Sequence, residues 1–162
     1  MEYRKGVIFV YWIFILNDLS SSNTVILAQD IADYLLAKKV WQYTPTTPNM
    51  SKVKNGDRVL IYLAGKGRKY FYAVFDIQEQ VKQMNPVSNE GVEWEEDFNR
   101  IFKFRSPIDK VEKFKQPILL DEALRNKLSF IGDKKNWGLY FRQGIRSLSE
   151  QDYQIIMDSI RK

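Results

Sequence analysis

The chain has 162 residues, no cysteine, no histidine and a formal net charge of +5. Its length fits one domain over 1–162, and the missing residue types exclude disulfides, Cys/His zinc sites, thiol nucleophiles and any triad that needs an imidazole. At 44% hydrophobic it can bury a real core, and its aromatic content of 14% is the compositional departure.

The longest apolar run, "GVIFVYWIFIL", covers Gly6 to Leu16. It falls far short of the ~20 residues a membrane helix needs. Tyr11 and Trp12 interrupt it and no small-residue cleavage site comes after it, so no membrane partner is expected and the chain reads as cytoplasmic. Its β-branched and aromatic content predicts a strand over Val7–Leu16, buried on both faces. "LSSSNT" is a cluster of helix-starting residues, and Val25–Lys39 reads as the helix. Leu27, Ala28, Ile31, Leu35 and Leu36 keep one face of it, and Lys38 and Lys39 sit where the helix dipole favours cations. A loop carrying Trp41 comes next, with Pro45 and Pro48 barring regular structure.

The clearest hairpin lies beyond that loop. Asn55-Gly56-Asp57 is a turn, Arg58–Leu63 a strand, "AGKG" a loop and Tyr70–Ile77 the return strand. Both of its faces are apolar, which suits a barrel wall or a sandwiched strand. Met84–Asp97 reads as an acidic loop carrying Trp94, Ile101–Phe104 as a strand, and Val111–Phe114 as an extension of the sheet after Pro107. Asp121 caps a helix over Glu122–Leu128, and "FIGDKKNWGLYF" is a loop and then a strand. Ser149-Glu150-Gln151-Asp152 is a capping box that opens a helix with Tyr153, Ile156, Met157 and Ile160 on one face. The order β-α-β-β-β-β-α-β-α predicts an α+β chain, a small barrel or curled sheet flanked by helices.

Charge is segregated along the chain. Lys38 to Lys69 holds eight basic residues against Asp57 alone, Tyr70 to Phe98 seven acids against Lys82, and Asn99 to Lys115 six basic against two acidic. Such segregation fits a polyanion partner or a solvated basic surface. Glu93, Glu95, Glu96 and Asp97 form a carboxylate run, but consecutive loop charges point apart and a solvated loop is expected. "AGKGRK" lacks the spacing of a phosphate loop and joins two strands, so it reads as a hairpin turn.

Two tryptophans, Trp12 and Trp137, are expected in the core. Trp41 and Trp94 stand in loops beside polar residues. Each either anchors its loop or offers a face to a nucleobase, where stacking is worth about 1–3 kcal/mol per base. In the second case the basic segment around Trp41, Lys39 included, holds phosphates.

"YWIFILN", "KVWQYTP", "VKNGDRVLIYLAGKGRKYFYAVFDI" and "LSFIGDKKNWGLYFRQGIRSLSEQDYQII" together resemble the EVE domain family of the PUA-like superfamily, from about Tyr11 to Ile160. The order of elements is similar to that of the related YTH domains. The resemblance implies a PUA-like curled mixed sheet or barrel with helices outside. It also implies a non-enzymatic domain, with no cofactor and no metal, that takes a modified base flipped from DNA or RNA into an aromatic pocket. Trp41 matches the first cage tryptophan and Trp94 the second, with Tyr43 or Tyr11 as substitutes for the latter. Asn17, with Asp18, would supply polar contacts, and Gln42 to Thr44 would read the base edge. Arg142, with Arg146 behind it, would hold phosphate. Many members carry Gly where this chain has Gln42, which puts a side chain by the pocket floor. Glu93, Glu95 and Glu96 would recognise an exocyclic amine. The alternatives are a general RNA-binding domain without modification preference, a nucleotide-processing enzyme, and a partner-binding module.

Overall fold

Apolar residues alternate onto both faces of the central strands, so the sheet needs cover on both sides, and the helices divide between them. A computed structural model describes residues 3–4, 7–8, 10–21, 24–65, 69–83, 93–131, 137–142 and 144–161. Strands β1 (Tyr3–Arg4) and β2 (Val7–Ile8) pair with each other, and β4 (Leu19–Ser21) and β5 (Thr24–Ile26) form a second small ladder around β3 (Tyr11–Leu16). Then come α1 (Ala28–Lys38), β6 (Val40–Tyr43), β7 (Arg58–Leu63), β8 (Tyr70–Ile77), β9 (Lys82–Gln83), α2 (Glu95–Ile101) and β10 (Phe104–Leu119). The last elements are α3 (Glu122–Arg125), a 3-10 turn over Trp137–Phe141, β11 (Gly144–Leu148) and α4 (Glu150–Asp158).

The main sheet runs β11-β3-β7-β8-β10-β6, with β9 beside β10. β3 and β7 are parallel and the other pairs antiparallel, so the sheet is mixed. On the concave face, Trp12, Phe14 and Leu16 pack with Ile31 and Leu35 of α1 and with Trp41 and Tyr43 of β6. On the other face, Ile13, Ile15, Leu60 and Tyr62 pack with Leu124, Phe141 and Ile156. Asp57 anchors the concave core at one end: it is buried and accepts from Trp12 Nε1 at 2.9 Å, Lys54 N at 2.9 Å and Val10 N at 3.2 Å. The register places Leu16 beside Leu63, Leu63 beside Tyr70, Leu119 beside Tyr70, and Gly144 beside Ile15. One end of the sheet therefore gathers the segments that leave β3, β7 and β10 and those that enter β8 and β11.

The hairpin strands Arg58–Leu63 and Tyr70–Ile77 match their expected bounds. Lys66–Arg68 of the loop between them lie outside the described residues. So do Met84–Val92 of the acidic loop and Gly132–Asn136 of the loop before Trp137. Both expected caps form: Asp121 Oδ1 accepts from Leu124 N at 2.8 Å and Ser149 Oγ from Asp152 N at 3.0 Å. The Asp152 carboxylate does not complete the box; it accepts from Ser129 N at 2.9 Å and Ser129 Oγ at 2.5 Å, pinning α4 to the α3 loop.

Several expectations are corrected. The first strand divides into β2 and β3, because Val10 turns aside to bond Asp57. The first helix starts at Ala28; the residues before it form the β4–β5 ladder, and the N-terminal donor Ala28 N is met by Asp18 Oδ1 at 2.7 Å. β6 replaces the expected Trp41 loop: Val40–Tyr43 alternates with Trp41 and Tyr43 inward, and the prolines lie beyond it. α2 replaces the end of the acidic loop, because Glu95, Glu96 and Asp97 fill a first turn where the dipole favours acids; it runs to Ile101, so of the strand expected at Ile101–Phe104 only Phe104 is strand. β10 is one strand of 16 residues through Pro107. Pro107 is the final register pair with β6, so its missing N–H costs little, and its carbonyl accepts from Gln78 N at 2.9 Å. Lys110, at φ +50°, marks the bulge where β10 bends onto β8. "WGLYF" is a 3-10 turn, and the strand expected there begins only at Gly144.

Candidate functional site

The edge strands β6 and β11 do not pair, and the turn after β6 closes the seam between them. Asn49 Nδ2 donates to Ile145 O at 3.1 Å, and the Pro48 ring lies against Gly144. Gly144 has φ +93°, a conformation that disfavours side chains with a Cβ. Thr47 Oγ1 accepts from Thr44 N at 3.1 Å and lies 2.9 Å from Thr44 Oγ1, which holds the turn shut. From the end of β3, Asn17 Nδ2 donates to the carbonyl of Arg142. Asn17, the Thr44–Asn49 turn and Arg142 therefore meet where β11 starts. The Arg142 and Arg146 side chains are exposed there, and Arg146 lies 5.9 Å from the centre of the Tyr140 ring. Asp18, expected as a polar contact, is spent in part on the start of α1.

Trp41 and Tyr43 do not stand at this seam as open rings. Trp41 is 5% exposed, stacked on Phe75 at 5.5 Å and 28° and tilted against Phe14 at 5.6 Å. Tyr43 is 1% exposed; its hydroxyl donates to Ser106 Oγ at 3.1 Å, and burial pushes its pKa up, keeping the phenol neutral. The bare indole expected at Trp41 is thus corrected: a period-2 strand turns both rings into the concave core. Tyr11, the other substitute, is stacked on Tyr153 at 4.4 Å.

A second group forms a shelf under α2. Trp94 is half-buried, edge-on to Tyr34 at 4.8 Å and to Phe98 at 5.5 Å; its ring neighbours among the described residues do not include Trp41. Gln42 is buried, its amide donating to Asn99 Oδ1 at 2.8 Å and Phe102 O at 3.0 Å. Glu95 is fully buried, correcting the expectation of a solvated acidic loop; its Oε1 lies 3.4 Å from Lys38 Nζ, which also donates to Tyr34 OH at 2.8 Å. Burial alone would pull the Lys38 pKa down, but Tyr34 and Glu95 hold it above its ordinary value, so the ammonium stays charged. Gln42 Oε1, Glu95 Oε2 and Asn99 Nδ2 are left buried without a protein partner. Thr44 lies two residues past Gln42, about 7 Å along an extended chain, so shelf and seam are neighbours. Lys39 is not: it ends α1 at φ 57° and lies at the far end of β6 from Thr44.

Sequence reasoning missed Lys38 and Asn99. Asn99 stands at helical spacing from Glu95, a signal visible once Glu95 to Ile101 is read as a helix. Among the described residues no three carboxylates converge as metal ligands, and no helix is long and apolar enough to cross a membrane. A groove of about 1110 Å³ between the second half of β10, α3 and the end of α4 touches none of the expected site residues.

The family model for the EVE domain matches residues 11–159. The chain is 30% identical over 115 residues to the UPF0310 protein PH1033 of Pyrococcus horikoshii, covering 66% of this chain and 75% of that one. Its fold is similar to that of human THYN1, solved in complex with 5-methylcytosine-containing DNA: TM-score 0.59 and 14% identity, over 94% of this chain and 98% of that one. It is also similar, less closely, to the YTH domain-containing protein mmi1 solved with RNA: TM-score 0.50 and 8% identity, over 93% and 80% of the two chains. At these identities the likeness is one of fold: a curled mixed sheet flanked by helices, α+β and PUA-like.

Proposed function

The chain belongs to the EVE domain family, and from that premise we propose that it binds nucleic acid, taking one extruded, modified base between the seam and the α2 shelf without turning it over. The observation that carries this reading is the convergence of Asn17, the Thr44–Asn49 turn and Arg142 at the start of β11. Three separate segments bring an amide, two hydroxyls and two exposed guanidinium groups to one seam. THYN1, with the same fold, is solved with DNA carrying 5-methylcytosine, and mmi1 with RNA.

The roles differ from those the sequence suggests. Trp94 keeps part of its ring open and is the stacking partner, while Trp41 and Tyr43 are the wall behind it. Gln42, buried beneath α2, backs the site rather than meeting the base, and Asn17 and Thr44 contact the base from the seam. Arg142 and Arg146 hold phosphates, which position the strand but carry no sequence information. Lys39 is too far along β6 to join them.

The test is an array of oligonucleotides with methylated, hydroxymethylated and plain bases at one salt concentration. Trp94→Ala should weaken binding of the preferred oligonucleotide by about 1–3 kcal/mol, with the melting temperature little changed. Equal affinity for every base at fixed salt would remove the modified-base element. The burial of Trp41 favours that second reading, a general RNA-binding domain, because a core ring does not discriminate a methyl group. Turnover of labelled nucleic acid with divalent metal would point to an enzyme instead.

A further inference from the structure

Resting on the nucleic-acid reading, we propose that the strand flanking the bound base runs from the seam along the same end of the sheet, over a cationic rim built from Lys69, Arg125, Arg142 and Arg146 around the Trp137–Phe141 turn. The ladders place these residues together. Lys69 precedes β8, Arg125 ends the α3 helix just after β10, and Arg142 precedes β11, all at the strand ends that the register gathers. Trp137 is half-buried there, with Arg125 at 4.5 Å and Lys69 at 5.2 Å from its ring centre. Arg146 is set against Tyr140 on the same turn.

What marks this rim is that its ring-facing cations keep their charge unpaired. Two cations set over rings elsewhere have carboxylates: Lys38, over Tyr34, has Glu95, and Lys113, over Tyr72, has Asp33. Among the described residues none of the four rim cations has a carboxylate within ion-pair distance. Among the described residues the acids nearby stand at helix starts: Asp18 accepts from Ala28 N at the start of α1 and Asp121 caps α3, with Glu122 in the first turn of α3. Aromatic rings interleaved with uncancelled cations are the surface a single strand uses, phosphates on the charges and bases against the rings. Trp137 and its two cations thus extend the contact beyond the nucleotide at the seam.

The experiment compares single-stranded oligonucleotides of about three and about twelve nucleotides, both carrying the preferred base, and tracks affinity against salt. For the long strand, Lys69→Gln with Arg125→Gln should flatten the slope of log affinity against log salt by about 1.4, two phosphates at roughly 0.7 each. The short strand should bind the variant as it binds the wild type. Replacing Arg125 by Lys instead of Gln in the Lys69→Gln background, which keeps that charge, should return about half of the lost slope, roughly 0.7. Lys69→Gln alone, at an exposed side chain, should flatten it by about half as much and is insensitive to any disturbance of the Arg125 bond to Leu120 O. An unchanged slope on the long strand, or an equal loss on both lengths, would overturn the rim while leaving the seam intact. Failure of the wild type to bind either strand would overturn the nucleic-acid reading and the rim with it.

Discussion

Two tryptophans stand after the same lysine pair, in Lys38-Lys39-Val40-Trp41 and Lys134-Lys135-Asn136-Trp137. By neighbours alone they are near-equivalent, yet they end in opposite places. Trp41 lies in the interior of the curl between Phe14 and Phe75. Trp137 lies at the rim with Lys69 and Arg125 on its ring. The sequence alone suggests Trp41 open and Trp137 a core plug; Trp137 does pack against the second core, edge-on to Phe141 at 6.2 Å, but only half-buried. What separates them is the residue two places on: Tyr43 turns Trp41 into one of an inward pair on a strand, whereas Trp137 opens a 3-10 turn with no inward period. A basic neighbour says where the backbone reaches the surface; the period says which way the ring points.

The largest test of this contrast is Trp41→Ala. Truncating a core tryptophan costs about 3–5 kcal/mol, so chemical denaturation should show a collapse in stability, and loss of binding would be secondary to it. A variant as stable as wild type would return Trp41 to the pocket wall as an open ring. Next is Asp57→Ala, at the polar anchor of the same interior. It leaves the buried Trp12 indole N–H without its acceptor, which costs about 1–3 kcal/mol, and frees two part-buried backbone N–H groups, so the melting temperature should fall clearly. Trp137→Ala should cost less, because half-burial forfeits only part of the ~1.5–3 kcal/mol that full burial yields. Its clearer signature should be weaker binding of a long strand at unchanged affinity for a short one. If Trp137→Ala instead destabilises as much as Trp41→Ala, the rim is core and the contrast fails.

Local bonds and long periods are legible in the sequence; short strands and distant pairings are not. The β7–β8 hairpin is of the first kind: Asn55-Gly56-Asp57, with Gly56 at φ +86°, is the turn that leads into β7, and Gly65, at φ +125°, opens the loop that joins the two strands. The caps at Asp121 and Ser149 are too, because each is a local bond from a side chain to the third residue on. Asn17 and Arg142 come from family resemblance, and the structure brings them together across 125 residues, a pairing no local pattern encodes. β6 is hidden because four residues between a helix and two prolines are too short to show a period. α2 is hidden because its acids read as solvated charge, although one of them, Glu95, faces inward at helical spacing from Asn99. The shelf cannot be read without it.

The smallest effect, and the sharpest on the rim, belongs to Arg146→Gln. Arg146 pairs with Ile13 through the β11–β3 ladder, whose bonds are backbone bonds, and its side chain is exposed. Stability should therefore stay within about 0.5 kcal/mol of wild type. Binding should weaken by the same factor for modified and plain oligonucleotides, and the salt slope on a single strand should flatten by about 0.7, one phosphate's share. Uniform loss is the mark of a phosphate contact, since the backbone is the same under every base. A loss confined to the modified oligonucleotide would instead place the Arg146 guanidinium on the base itself. The pocket would then reach out to β11, and the division between an interior that folds and a rim that holds the strand would no longer describe the molecule.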